Sequence, residues 1–218
     1  MSLIETTAFE DATACTRQLY RRLSNGPGYL PNYGRIFGHR PELMVPLSAM
    51  QESIRSPLPE RTYALVTLAA ARTINSSYCS LAFAQRLLRR HMSQSDLVLV
   101  LTGSPDAPVS DGERAAMALA EQVARDSSRV EEAHVERMRA EGFSDTEIFD
   151  VVAAAAWRCF FAKIPDALGA LPDKALGELE PELLDLLLVG RPLEQENDIQ
   201  QDSATSTHGP GAEADRAE

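Results

Sequence analysis

From about residue 8 to residue 189 apolar positions recur three and four residues apart, the spacing of helices that each bury one face. Residues 63–71 (Tyr-Ala-Leu-Val-Thr-Leu-Ala-Ala-Ala) are apolar on nearly all sides. This predicts a helix buried at the centre, opened by Pro57-Leu58-Pro59-Glu60. Two capping boxes mark further starts: Ser110-Asp111-Gly112-Glu113 for a helix to about Arg125, and Ser144-Asp145-Thr146-Glu147 for another. In the latter, Ile148, Val151, Val152, Ala155, Cys159 and Phe160 form the expected buried face, and Pro165 is expected to kink or end the helix near Phe161. Pro41 opens a helix over 41–54. Residues 97–101 (Leu-Val-Leu-Val-Leu) suit a short buried helix or a strand, and helical surroundings favour the helix. Residues 26–32 and 103–108 read as loops by their Gly and Pro content.

The expected fold class is therefore all-α. Alanine and leucine dominate an apolar content of 44%, while aromatics make up 6%, which agrees with helix over sheet. Residues 1–190 form one expected domain. Residues 191–218 carry seven acidic residues against two arginines and almost no large apolar side chains, so an acidic disordered tail is expected there. A net charge of -11 argues against a nucleic-acid partner, because phosphate binding needs a concentrated basic surface. Arg86, Arg89, Arg90 and His91 cluster as a solvated helix face would. The apolar runs are too short to span a membrane, and the first residues lack the pattern of a secretory signal, so a cytoplasmic location is expected. Cys15, Cys79 and Cys159 show no paired spacing, so neither a disulfide framework nor a metal site is expected, and no cofactor is implied.

Candidate chemistry gathers at Asn75-Ser76-Ser77-Tyr78-Cys79-Ser80-Leu81-Ala82-Phe83. Ser76 is a suitable N-cap, and Cys79 then lies in the first turn of a helix. Unpaired backbone N–H groups and the positive end of the dipole there favour the thiolate form of a cysteine. The short connection 73–75 joins this helix to the buried one as an antiparallel hairpin, with Cys79 near the first helix's C-terminal end. Cys159 lies on the apolar face of its helix and Cys15 on the amphipathic first helix, so both read as core residues.

Gly28-Tyr29-Leu30-Pro31-Asn32, His39-Arg40-Pro41-Glu42-Leu43, Leu58-Pro59-Glu60-Arg61 and Arg72-Thr73-Ile74-Asn75-Ser76-Ser77-Tyr78-Cys79 together resemble the alkylhydroperoxidase-D-like, or carboxymuconolactone decarboxylase-like, superfamily, and most closely its peroxidase-related branch. The resemblance runs through Glu113-Arg114-Ala115-Ala116 and Gly142-Phe143-Ser144-Asp145 to Asp166-Ala167-Leu168-Gly169. It implies an oligomeric helical bundle, a homo-trimer or hexamer or else a dimer, built around the buried hairpin. Active members pair two cysteines, one attacking a peroxide and one resolving the sulfenic acid, with Glu and His relaying protons. Here the first cysteine position is Ser76, the histidine position Phe83 and the glutamate position Ala64; only Cys79 is retained.

The expectation is thus a derived enzyme acting on a hydrophobic small organic molecule by non-redox chemistry. Cys79, Ser76 and Glu60 are its candidate catalytic groups, and Tyr78, Phe83, Ala64, His39 and Arg72 its candidate binding groups. Trp157, Arg158 and Lys163 lie on a helix that could close the same pocket. The alternatives are a one-cysteine peroxidase using Cys79, or a non-catalytic oligomeric small-molecule-binding subunit.

Overall fold

The computed structural model describes residues 2–195. Among these residues ten α-helices follow one another: α1 (Ala14–Ser24), α2 (Asn32–Phe37), α3 (Met44–Arg55), α4 (Glu60–Thr73), α5 (Ser77–Arg90), α6 (Gln94–Leu101), α7 (Asp111–Asp126), α8 (Glu132–Ala140), α9 (Asp145–Ala167) and α10 (Pro181–Leu187). Three short 3-10 turns, at Pro41–Leu43, Ser127–Arg129 and Lys174–Gly177, complete the set, and there is no strand among the described residues. Residues 97–101 are helical, within α6, because Ser93 and Asp96 form a capping box that starts a helix just before them. The boxes at Ser110 and Ser144 likewise open α7 and α9.

Every residue from Tyr63 to Ala71 is buried. α4 is the axis of the bundle: α5, α7 and α9 pack around it, and α6 and α10 close against each other and α5. Arg61, at the start of α4, ties three elements together. Its Nε donates to Glu113 Oε1 at 2.7 Å, Nη1 to the His91 carbonyl at 3.0 Å and Nη2 to the Pro108 carbonyl. A smaller N-terminal core of Leu19, Tyr20, Phe37 and Met44 leans on Phe161 and Ile164 of α9.

Two expectations for α9 are corrected. Pro165 does not end the helix near Phe161, since α9 continues to Ala167. The ring removes a single backbone donor in the last turns, and the true stop is a Schellman cap: Ala170 N–H donates to the Pro165 carbonyl at 2.9 Å and Gly169 N–H to the Asp166 carbonyl at 3.2 Å. Gly169 takes the left-handed φ of 85° which that cap requires. The buried face also differs from the expected one. It runs through Ile148, Val151, Ala155, Arg158, Ala162 and Pro165, while Phe160 is half exposed and Cys159 half buried. Steps of three and four from Ala155 reach Arg158 and Ala162, which turns Phe160 outward. Cys15 also differs from its core reading and is exposed.

Residues 188–195 strap the far end of the chain across the start of α5. Gly190 N–H donates to Ser77 Oγ at 2.8 Å, and a Cβ at Gly190 would lie 2.0 Å from the Asn75 carbonyl oxygen, so only glycine fits. Residues 191–195, the first of the expected tail, take part in this strap, and the rest of that tail lies outside the described residues.

Asp173 anchors the same region. Its buried carboxylate accepts from Asn32 N–H at 2.8 Å and from the Tyr78 hydroxyl, joining α2, α5 and the segment after α9. Burial, reinforced by the charge of Glu194, pushes the Asp173 carboxyl up to about 6, against the lowering effect of its two donors. The same burial and this carboxylate raise the Tyr78 hydroxyl well above its usual value and push Tyr29 up to about 12. Below the usual carboxylate range Asp173 is neutral in folded and unfolded chains alike. As pH rises through about 6 the folded chain must bury a charge, and that part of the stability is lost. Asp173→Asn keeps an acceptor for Asn32 N–H and cannot ionise. Urea unfolding at pH 4 and pH 7 is expected to show wild type losing about 2–3 kcal/mol relative to the variant over that interval. A pH-independent difference would remove Asp173 as its source.

Candidate functional site

The turn between α4 and α5 has no slack. Ser76 N–H donates to the Ala71 carbonyl at 2.9 Å and Asn75 N–H to the Arg72 carbonyl at 3.0 Å, the two bonds of a Schellman cap on α4. Asn75 sits at its left-handed position with φ 57°, which asparagine tolerates better than most residues. The very next residue, Ser76, is already the N-cap of α5, its hydroxyl accepting from Cys79 N–H at 3.4 Å. The carboxyl of Asp166 on α9 is raised by burial and lowered by the nearby Ser76 hydroxyl. Ser76 is therefore held through both its backbone N–H and its hydroxyl, at the foot of the thiol.

Cys79 is 3% exposed. Its Sγ lies 3.3 Å from Nη1 of Arg158, which donates to it from α9. Arg158 is itself only 3% exposed. Its guanidinium carbon lies 4.4 Å from the centre of the Phe83 ring and 5.4 Å from that of Phe161, two cation–π contacts. Among the described residues no carboxylate pairs with Arg158, and its buried Nε meets no acceptor. A buried charge ordinarily demands a paired anion, and here the cation has only a thiol and two aromatic faces. Phe83 thus serves as the platform for a cation. A guanidinium donates hydrogen bonds but accepts none, so it supplies positive charge and cannot relay a proton.

The structure brings Ser76, Cys79 and Phe83 together with Arg158, Asp166 and Phe161. Tyr78 is adjacent in sequence, but its hydroxyl is committed to Asp173. Ala64 is fully buried in the main core. Glu60 is drawn elsewhere: it pairs with Arg86 at 3.2 Å, with Arg90 at 3.4 Å and with His91 at 4.0 Å, at the opposite end of the hairpin. Those partners lie two to three turns along from Cys79, roughly 10–18 Å at the rise of a helix. Rings link that end to the site, since Arg86 lies over Tyr63, which meets Phe83 edge-on at 5.9 Å. Arg72 points away as well. Its Nη1 donates to the Leu101 carbonyl at 3.2 Å, and burial lowers its affinity for a proton. His39 is exposed, its Nε2 paired with the Glu5 carbonyl at 2.8 Å, in an open cleft of about 440 Å³ that it shares with Cys15. Antiparallel packing explains the separation, because Glu60 and Cys79 start their respective helices and so lie at opposite ends of the pair.

The residues that sequence reasoning undervalued are Arg158, Asp166 and Asp173. The signal for Arg158 was its register, three residues past Ala155 on the buried face; for Asp166 and Asp173 local sequence carries no signal. Among the described residues no group of three or more His, Cys, Asp or Glu side chains is arranged to hold a metal ion, and no helix is long and apolar enough to cross a membrane.

Residues 41–122 match the model of the Carboxymuconolactone decarboxylase family. No curated protein matches the chain. Among solved structures, the chain is similar to the alkylhydroperoxidase AhpD core of an uncharacterized peroxidase-related protein from Ralstonia eutropha JMP134. That match has a TM-score of 0.69 and 20% identity, over 87% of this chain and 98% of that one. It is similar also to the debrominase Bmp8, in a cysteine-to-alanine variant in complex with 2,3,4-tribromopyrrole, with a TM-score of 0.65 and 18% identity over 86% and 96% of the two chains. A further match is a peroxidase-related protein from Silicibacter sp. TM1040, with a TM-score of 0.65 and 18% identity over 81% and 92%. The matched family segment spans the central hairpin, and across the rest of the chain the likeness to these solved structures is one of fold.

Proposed function

We propose that this chain is a thiol-dependent enzyme of non-redox type acting on a small hydrophobic organic molecule. The observation that carries the reading is the contact between Cys79 Sγ and Arg158 at 3.3 Å, within an aromatic surround. A peroxide cycle needs a resolving thiol and a proton relay. Ser76 offers no sulfur and Phe83 no proton, and the contact to the Cys79 sulfur comes from a cation that accepts none. Positive charge against a sulfur suits a nucleophile that adds to an electrophilic carbon, or an anchor that holds a ligand beside it. The debrominase neighbour, in complex with a small flat ring, supports the small-molecule part of this reading.

Self-association is the second half of the proposal, and the specific observation favouring it is a row of exposed apolar side chains. Phe149 is 69% and Phe160 50% exposed on α9, and Val45 and Met50 are exposed on the adjoining α3. Together they form the kind of patch that proteins cover with a partner. We take that partner to be a second copy of the chain, in a trimer, hexamer or dimer.

Three outcomes are expected. With hydrogen peroxide and dithiothreitol the protein should consume peroxide no faster than its Cys79→Ala variant; steady turnover that Cys79→Ala abolishes would establish the one-cysteine peroxidase instead. N-ethylmaleimide, a small thiol-reactive probe, should label Cys79 about tenfold faster in wild type than in Arg158→Leu, a difference of about 1.4 kcal/mol in the barrier. Equal rates measured by mass spectrometry would remove the guanidinium from the chemistry. Light scattering should show an oligomer that Phe149→Glu with Phe160→Glu dissociates, and a monomeric wild type would end that half of the reading.

A further inference from the structure

The charge balance of the core leaves Arg158 unresolved. One of its nitrogens, Nη1, is spent on the Cys79 sulfur. The Nε is buried without an acceptor, and no hydrogen bond among the described residues engages Nη2. A sulfur is a single-point acceptor and leaves this second edge of the fork empty. The Nε–Nη2 edge is also the one whose two parallel N–H groups match the two oxygens of a carboxylate. Along α9 the flanking acids Asp150 and Asp166 each stand eight residues from Arg158, and among the described residues no ion pair joins it to either.

The surroundings say what kind of molecule carries the missing anion. Arg158 is held against Phe83 and Phe161, and Phe161 is in turn met by Tyr33 at 5.8 Å, Phe37 at 5.5 Å and Trp157 at 6.1 Å between ring centres. A hydrated inorganic ion finds few partners in such a place, whereas a flat, unsaturated organic body finds ring faces and edges. Of the unpartnered polar atoms near this cluster, Arg158 Nε and the Trp157 indole nitrogen can only donate, while the Tyr63 and Ser80 hydroxyls can donate or accept; an acceptor group suits all four.

We propose that Arg158 is the specificity-determining residue of the site, and that it binds the carboxylate of a small, flat organic acid beside Cys79. The inference rests on the thiol site described above and narrows its substrate class from hydrophobic molecules in general to those bearing an anionic group. Arg158 orients the ligand by its Nε–Nη2 edge while Nη1 stays on the sulfur, so one guanidinium sets the distance between the ligand's anionic end and the thiol.

The test uses the full chain and two probes, sodium formate and sodium benzoate, each set against its neutral amide, formamide or benzamide, at ionic strength fixed with chloride. Thermal unfolding of wild type should show a saturable rise in Tm with benzoate, a smaller one with formate and none with either amide. Arg158→Leu keeps the aromatic contacts and removes an unpaired buried charge. It should fold, with a Tm at or above that of ligand-free wild type, and lose the carboxylate response. Arg158→Lys keeps charge without the fork and should weaken benzoate at least tenfold by calorimetry. Cys79→Ala should still bind benzoate, which separates this inference from the thiol reading. A Tm in wild type indifferent to both carboxylates overturns the proposal, as does a benzoate response that persists in Arg158→Leu. Dissociation of an oligomer in Arg158→Leu, without any carboxylate effect in wild type, would assign the charge to a subunit contact and overturn it too. If carboxylate binding fails while maleimide labelling still depends on Arg158, the thiol reading stands alone.

Discussion

One turn of chain sets the position of everything around the thiol. Ile74, Asn75 and Ser76 end α4 and begin α5 with no intervening residue, because the donor that completes one helix's C-terminal cap belongs to the residue that caps the next. Two helices joined in this way cannot slide or splay without breaking a cap. Cys79, one turn into the second helix, is therefore fixed relative to the fully buried first. The cost of a left-handed asparagine is offset by backbone bonds that would otherwise go unmade at both helix ends.

The rest of the bundle supplies what that turn lacks. The hairpin alone places a serine, a thiol and a phenylalanine in line and no charge near them. α9 brings Arg158 and Asp166, one to the sulfur and one to the capping hydroxyl, from positions eight residues apart and hence on nearly the same face of the helix. The site is a product of two packed elements: α5 holds the groups that a family pattern recognises, and α9 decides the electrostatics in which they work. Where a peroxidase would place a histidine on α5, this chain places a ring on α5 and a permanent cation above it. Such an exchange trades proton transfer for charge stabilisation.

How much of this was legible follows from where each determinant lies in the chain. The α4–α5 hairpin, the serine caps and the all-round apolar helix are local features, written in a few consecutive residues, and they could be read directly. Pro165 does not stop α9 where its type suggests, because a proline's effect depends on how much helix remains after it; here a glycine-based cap ends the helix two residues later. Hydrophobicity alone points Cys159 and Phe160 inward rather than Arg158. In the structure the three- and four-residue steps of the helix assign the inward face, and they bury an arginine while exposing a phenylalanine. Glu60 looked near Cys79 when judged by motif proximity, yet in an antiparallel pair the starts of the two helices are the most distant points. Asp173 meets Asn32 and Tyr78 across more than ninety residues of chain, a pairing that no local pattern encodes.

The strap through Gly190 bears on the order in which the molecule is made. Its bond to Ser77 joins residues 113 positions apart, so the hairpin leaves the ribosome long before the segment that locks it. Contacts of such separation form slowly, because the intervening chain must first be ordered. α9, which carries the guanidinium to the sulfur, also arrives late. During synthesis the nascent chain therefore presents a helix-start cysteine without its cation and without the strap that ties down its neighbour Ser77. The interval before residues 158 and 190 dock is the time when this thiol is most open to oxidants and to disulfide exchange.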